Sequence, residues 1–210
     1  MILERLEVTS FLMNCYLIAD EKTKEGFIVD PGGSEDYIAN KIKELKIKPI
    51  GILLTHGHAD HIGGVIGLKE KFNIPIYIHE ADANYIKNPD LNLSYDLFRK
   101  KISFEADELL RDGDKIKMGE LTIDVIHTPG HTPGGVCFKV EDALICGDTI
   151  FRFSVGRTDL TGGSMDKLID SILRKIMVLD DNTKLYPGHN APSKIGEEKK
   201  YNAFIKNYFK

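Results

Sequence analysis

Residues 55–61 read Thr-His-Gly-His-Ala-Asp-His, and four of these side chains, His56, His58, Asp60 and His61, are able to bind a metal. They follow an apolar run, Ile50 to Leu54, that reads as a buried strand. Four polar groups crowded at the end of such a strand need partners, because each one buried without a partner costs ~1–3 kcal/mol. One or two cations at the strand end resolve that conflict. The plainer reading is a polar surface turn eased by Gly57. The rest of the chain weighs against it by supplying further ligands.

There are seven histidines, and those outside the heptapeptide are His79, His127, His131 and His189. His131 lies in Thr128-Pro-Gly-His-Thr-Pro-Gly-Gly, too rich in proline and glycine for a helix or a central strand. It follows the alternating run from Leu121 to Ile126. Asp148 ends the strand-like run Ala143-Leu-Ile-Cys-Gly-Asp, and His189 ends Lys184-Leu-Tyr-Pro-Gly-His. Each stands where a strand gives way to a glycine-loosened turn, which suits loops converging above a rigid sheet edge. A histidine after Pro-Gly or an aspartate after Gly is, taken alone, an ordinary turn residue. Together with the heptapeptide they amount to five histidines and two aspartates. That is enough for two metals sharing a carboxylate, as in hydrolytic sites whose ions lie ~3.5–4 Å apart.

The order H-x-H-x-D-H, then T-P-G-H-T-P-G, then G-D after a strand, then P-G-H resembles the metallo-β-lactamase superfamily, and most closely its compact glyoxalase II-like (hydroxyacylglutathione hydrolase) branch. The match runs from Val29-Asp30-Pro31-Gly32 to His189. The resemblance implies an α/β fold, the αββα sandwich of two mixed sheets flanked by helices. It implies that His56, His58 and His131 hold a first metal, that Asp60, His61 and His189 hold a second, and that Asp148 bridges the two. Asp60 and Asp148 are thus the carboxylates on which catalysis is expected to depend. Asp30 is implied as a structural support beside the site.

Imidazoles and carboxylates without cysteine suit two divalent ions, zinc first, with iron or manganese as the alternatives. A water held between them ionises near neutral pH and serves as nucleophile, so no Ser, Cys or Thr need attack. A leaving thiolate needs no strong general acid. The expected reaction is therefore hydrolysis of a small-molecule thioester such as S-lactoylglutathione. The rival is an oxidoreductase, since persulfide dioxygenases resemble this chain too. They use one iron on the equivalents of His56, His131 and Asp148.

The segment Phe153-Ser-Val-Gly-Arg-Thr-Asp-Leu follows Asp148. It has two readings: a solvated turn with a charge pair, or a loop in which Arg157 grips a substrate carboxylate through paired hydrogen bonds. Long glyoxalase II proteins carry a lysine and an aromatic residue here, and beyond the last histidine a helical domain with basic glutathione-binding residues. Only 21 residues follow His189, so no such domain is expected. His79 and His127 read as hydrogen-bonded structural residues.

With 210 residues, 42% hydrophobic and 29% charged, the chain can bury a core as one domain over 1–210. A formal net charge of −4, without a basic stripe, argues against a nucleic-acid partner. Cys15, Cys137 and Cys146 show no C-x-x-C spacing and read as buried free thiols, which fits the cytoplasm. No signal-like start and no run of membrane-spanning length are present, so no membrane partner is expected.

The elements that must position these residues read as follows. Strands are expected over Ile2–Val8, Cys15–Ala19 and Gly26–Val29, then a helix from a Ser34 cap to Lys46. The strand into the heptapeptide comes next, then a short helix over Gly63–Phe72. Strand Pro75–Ile78 and helix Ala81–Lys87 follow, and residues 89–106 read as a loop or short helix near the site. Gly113–Ile126 and Gly135–Cys146 read as paired strands turning at Glu141-Asp142. Helices are expected over Met165–Leu179, capped by Ser164, and over Ile195–Tyr208.

Overall fold

The computed structural model describes residues 1–209. Strand β1 (Ile2–Val8) turns back into β2 (Met13–Ala19), which pairs antiparallel with β3 (Glu25–Val29). Helix α1 (Glu35–Leu45) then carries the chain across to β4 (Lys48–Leu53), parallel to β3. Parallel neighbours require such crossovers. Helices α2 (Ala59–Ile62) and α3 (Val65–Phe72) make the next one, to β5 (Ile76–His79). The following crossover holds α4 (Ala83–Lys87), α5 (Pro89–Asn92) and α6 (Ser94–Phe98) before β6 (Glu108–Leu110). These six strands form one mixed sheet in sequence order.

The second sheet starts with β7 (Lys115–Met118), β8 (Leu121–His127), β9 (Val136–Val140) and β10 (Ala143–Gly147), an antiparallel meander. A small hairpin of β11 (Ile150–Phe151) and β12 (Ser154–Val155) follows, then α7 (Met165–Ser171). Strand β13 (Lys184–Pro187) adds parallel to β10, and β14 (Ser193–Lys194) closes the sheet before α8 (Ile195–Tyr201). The sheet order is β14-β13-β10-β9-β8-β7.

Side-chain alternation sorts the strands into layers. Tyr16, Ile18, Phe27, Val29 and Leu53 point from the first sheet toward Ile123, Val125, Val136, Phe138 and Ile145 of the second. The opposite face of the first sheet, with Cys15, Leu17 and Ile28, packs on Ile38 and Ile42 of α1 and Val65 and Leu68 of α3. The outer face of the second sheet, with Cys137, Leu144 and Cys146, packs on Leu168, Ile172 and Ile195. The expected αββα sandwich is the fold observed, and all three cysteines are buried free thiols.

Local departures from the expected elements have identifiable causes. Ser34 sits at φ 60° and makes no capping bond; its hydroxyl instead accepts from the Thr9 N–H. Gly113–Ile126 is itself a hairpin, turning at Gly119 with φ 61°. The α7 helix keeps its Ser164 cap but widens over Ile172–Ile176 into a π-type turn, with Met177 N–H donating to the Ile172 carbonyl at 2.8 Å. The last helix stops at Asn202, not Tyr208. There the buried amide donates to Ser154 O and to Glu198 Oε2 at 2.9 and 2.8 Å, so its side chain takes the backbone out of the helix. The heptapeptide itself opens α2, which the turn reading did not anticipate.

Candidate metal centre

Strand direction decides where the chemistry collects. Strands β3, β4 and β5 are parallel, so Asp30, the heptapeptide and Asp82 all lie beyond the same sheet edge. In the second sheet β8, β10 and β13 run in one direction, because β9 reverses between β8 and β10 and β13 is parallel to β10. Their ends deliver His131, Asp148 and His189. The two sheets are tied together at this edge. Val136 N–H donates to Thr55 O at 2.8 Å, and Asn14 N–H to Gly188 O at 2.7 Å.

The seven residues singled out in the sequence converge here in two groups. His56, His58 and His131 offer nitrogens within 4.8 Å of one another, as do the ligand atoms of Asp60, His61 and His189. Asp148 lies between the groups: Oδ1 is 3.3 Å from His61 Nε2, and Oδ2 is 3.6 Å from His131 Nε2 and 3.9 Å from His189 Nε2. Asp60 Oδ2 is 3.2 Å from His189 Nε2.

A sequence model described as the metallo-beta-lactamase superfamily matches residues 9–189. The chain belongs to that superfamily. Among superfamily relatives, the probable metallo-hydrolase YqgX of Bacillus subtilis is 36% identical, and the hydroxyacylglutathione hydrolase GloC of Haemophilus influenzae is 33% identical; each alignment covers 97% of both chains. The solved structure of the BLEG-1 B3 metallo-beta-lactamase superposes with a TM-score of 0.92 at 36% identity, covering 97% of this chain and 99% of that one. The ETHE1 structure from Myxococcus xanthus gives 0.83 at 29% identity, covering 97% and 84%. A di-iron-bound form of TTHA1623 gives 0.86 at 29%, covering 96% and 100%.

Superfamily members bind divalent metals, and the chemistry of the donor set in this chain fits such ions. His58 Nδ1 and His131 Nε2 face each other at 2.9 Å. His131 donates its other ring nitrogen, Nδ1, to the Arg157 carbonyl at 2.7 Å, which leaves a lone pair on Nε2. Two such nitrogens repel unless a proton or cation is shared between them. Ligands at the ~2.0–2.1 Å bond lengths of a tetrahedral zinc ion lie about 3.3 Å apart, close to the spacings found here. His56 Nε2, His61 Nε2 and Asp148 Oδ1 are buried with no hydrogen-bond partner among the described residues. Buried polar atoms are rarely left so, and all three aim into the cluster.

The ring tautomers are set from behind. Asp30 Oδ2 accepts from His61 Nδ1 at 2.9 Å and from the Thr55 hydroxyl at 2.5 Å, while Oδ1 accepts from Thr55 N–H at 2.7 Å. Since the Thr55 proton goes to Asp30, its oxygen is free to accept from His56 Nδ1, 3.2 Å away. Both imidazoles therefore turn Nε2 lone pairs inward.

Electrostatics agree with this arrangement. Burial, then the neighbouring histidines, push His56 well below the usual range, and burial followed by His131 takes His58 down to about 3, so both stay neutral. Burial disfavours charge on Asp148, yet His61, His131 and His189 outweigh it and hold the carboxyl well below its ordinary value. At His61 burial opposes protonation, but Asp148, Asp60 and Asp30 prevail and push it upward. This flank favours a positive charge, whether a proton or a metal ion.

Arg157 stands at the rim of the cleft, largely exposed. Its guanidinium is held by Asp159 through Nε to Oδ1 at 2.7 Å and Nη2 to Oδ2 at 2.8 Å. The charge-pair turn is thus the arrangement present, while the loop's contact with the cluster runs through the Arg157 carbonyl. His79 and His127 stack with ring centroids 4.0 Å apart, and His127 Nε2 bonds the Pro133 carbonyl at 2.9 Å, outside the cluster.

Some supports went unread in the sequence. Asp82 is fully buried and accepts from Gly57 N–H, the Thr132 hydroxyl and Gly134 N–H at 3.1, 2.7 and 2.6 Å. It joins the heptapeptide to the His131 loop. Tyr16 donates to Pro187 O at 2.6 Å, and Asn14 donates to Pro187 O and Asn190 O at 2.9 and 2.8 Å, fixing the turn that carries His189. Asp82 and Asn14 look like ordinary polar residues in sequence, and only a buried partner reveals them. Gly188 is needed for close approach: a Cβ there would lie 2.3 Å from Asp148 Oδ1 and 2.6 Å from His61 Cε1.

Proposed function

We propose that this chain is a binuclear metal-dependent thioester hydrolase acting on a small-molecule thioester such as S-lactoylglutathione. His56, His58 and His131 would hold one ion, Asp60, His61 and His189 the other, and Asp148 would contact both. The observation that carries this reading is the completeness of the second group, Asp60, His61 and His189, beside the first. The likeness to GloC supports the substrate class. Divalent ions bound there would polarise a thioester carbonyl and lower the pKa of a water to about 7.

The chain's own residues supply position and charge. The Asp30 and Arg157 carbonyl contacts lock His61 and His131, so the donors are organised before substrate arrives. Asp60 and His189, and to a lesser degree Asp148, are the partly open members of the cluster, whereas His61 is fully buried, so water approaches from their side. The cleft above the cluster, about 390 Å³, suits a small molecule.

The test is thiol release from S-lactoylglutathione by metal-replete protein with oxygen excluded, using His58→Ala to set the background. Fast release lost in the variant is the expected outcome; release no greater than that background removes the reading. A second reading, a persulfide dioxygenase-like oxidoreductase with one iron, draws on the grouping of His56, His131 and Asp148 and on the likeness to the ETHE1 structure. Oxygen consumption with glutathione persulfide, at one iron per chain, would favour it.

A further inference from the structure

The walls of the cleft are as informative as its floor. Around the clustered His and Asp residues stand Leu93, Leu97, Phe151, Val155 and Leu160, and Arg157 is the one Lys or Arg among the lining residues. That guanidinium is already matched by the Asp159 carboxylate. A substrate group lying against these walls meets apolar surface on both sides and one cation whose charge is neutralised.

Leu93 adds an independent observation. It sits between α5 and α6 at φ 63°, ψ 20°, a left-handed conformation that leucine adopts at a cost and glycine or asparagine adopts easily. That conformation ends α5 as it ends α1 at Lys46 and α6 at Arg99, and here the residue that carries it also lines the cleft. The segment is also held in place. Asn92 Oδ1 accepts from Ser94 N–H and its amide donates to the Ile102 carbonyl, both at 2.9 Å, while Phe98 packs edge-on against Phe11 with centroids 5.6 Å apart. The α5–α6 segment is therefore a fixed wall that aims Leu93 and Leu97 at the cluster.

We propose that this cleft selects a thioester with an apolar, uncharged acyl chain, and that Leu93 is a specificity-determining residue for it. This rests on the thioester reading above and deepens it: beyond the short lactoyl group, the cleft favours longer, uncharged, apolar acyl chains. Acyl chain and thiol both start at the reacting carbonyl carbon, and the proposal assigns the acyl chain to these walls. Burying each added methylene there strengthens binding by about fourfold until the wall is spanned.

The experiment compares acetyl, butyryl, hexanoyl and glutaryl thioesters of N-acetylcysteamine, an uncharged thiol, with metal-replete protein. The expected kcat/KM rises several-fold per added methylene from acetyl to hexanoyl, and glutaryl, with its terminal carboxylate, trails hexanoyl by at least tenfold. In Leu93→Gly the hexanoyl-to-acetyl ratio falls several-fold while the melting temperature holds or rises, because glycine relieves the left-handed strain. A flat acyl series, a preference for glutaryl, or an unchanged ratio in Leu93→Gly overturns the proposal. Calorimetric binding of acetohydroxamic through octanohydroxamic acid reads the same walls without turnover. If no thioester is cleaved, the hydrolase reading fails, and a Kd that drops with chain length more steeply in the wild type than in Leu93→Gly still upholds the apolar wall. A Kd independent of chain length sinks it.

Discussion

Asp30 shows how one side chain can govern several ligands it never joins. Its φ of 50° is left-handed, which Asp and Asn tolerate, and its carboxylate takes three hydrogen bonds from Thr55 and His61. Asp30→Asn keeps the backbone conformation and one acceptor oxygen. It cannot accept both the Thr55 hydroxyl and His61 Nδ1 at the other position. The expected result is roughly 10–100-fold weaker metal binding, measured by chelator competition on protein shown folded by circular dichroism. Gly188→Ala tests steric closeness on the opposite side. Its new methyl must displace Asp148 or His61, so metal content by elemental analysis should fall from two ions per chain toward one, with kcat down at least about tenfold. These two residues also show what was legible. Asp30 and the seven candidate ligands stand out in sequence because polar groups at strand ends next to glycine are conspicuous. Gly188 reads as a turn former, and its reason for being glycine is an atom of Asp148, forty residues earlier in the chain, that only folding brings near.

At the scale of elements, the end of α8 is where local reading and structure part. Glu198 is buried beside Asn202, and its Oε2 accepts from Phe153 N–H and Asn202 Nδ2 at 2.9 and 2.8 Å. Burial raises its pKa above the ordinary 4.5, against those hydrogen bonds. A carboxyl raised on folding favours the native state most below its unfolded pKa, and that contribution is lost as pH rises through the folded value. Glu198→Gln is therefore expected to melt at or above the wild-type temperature at pH 7, the advantage shrinking as pH is lowered toward 4.5 and below. Glu198→Ala, which strands two buried donors, should lose about 1–3 kcal/mol in urea unfolding at either pH. A Gln variant less stable than wild type at pH 7 would show that the charge itself holds this corner. The apolar pattern of 195–208 gave a plausible helix to Tyr208. It could not show that Asn202 has a better partner in Ser154 and Glu198 than in continued helix.

The whole molecule is two sheets with their covering helices, closed at one edge by the His and Asp cluster. The edge is rich in carboxylate charge and in imidazoles aimed at one another, so bound cations should hold the two halves together. Stripping divalent ions with a chelator is expected to lower the melting temperature by roughly 10 °C, since a ligand present at a thousand times its Kd contributes about 4 kcal/mol. Re-addition of zinc, iron or manganese to calorimetry samples should restore it, and the most effective ion indicates which the site prefers. No change on stripping would mean that direct bonds between the halves, such as Val136–Thr55, Asn14–Gly188 and Thr132–Asp82, hold the edge without an ion.

By itself the sequence determined the layered α/β fold, the buried free thiols and the seven residues that meet at the site. Hydrophobic alternation and glycine-marked strand ends are local properties, and motif order carried the resemblance. Tertiary structure alone decided the three hydrogen bonds of Asp82, the close approach that Gly188 permits and the left-handed Leu93 in the cleft wall. Each depends on distances between segments far apart in the chain or on a backbone angle, and neither is written in the spacing of residue types.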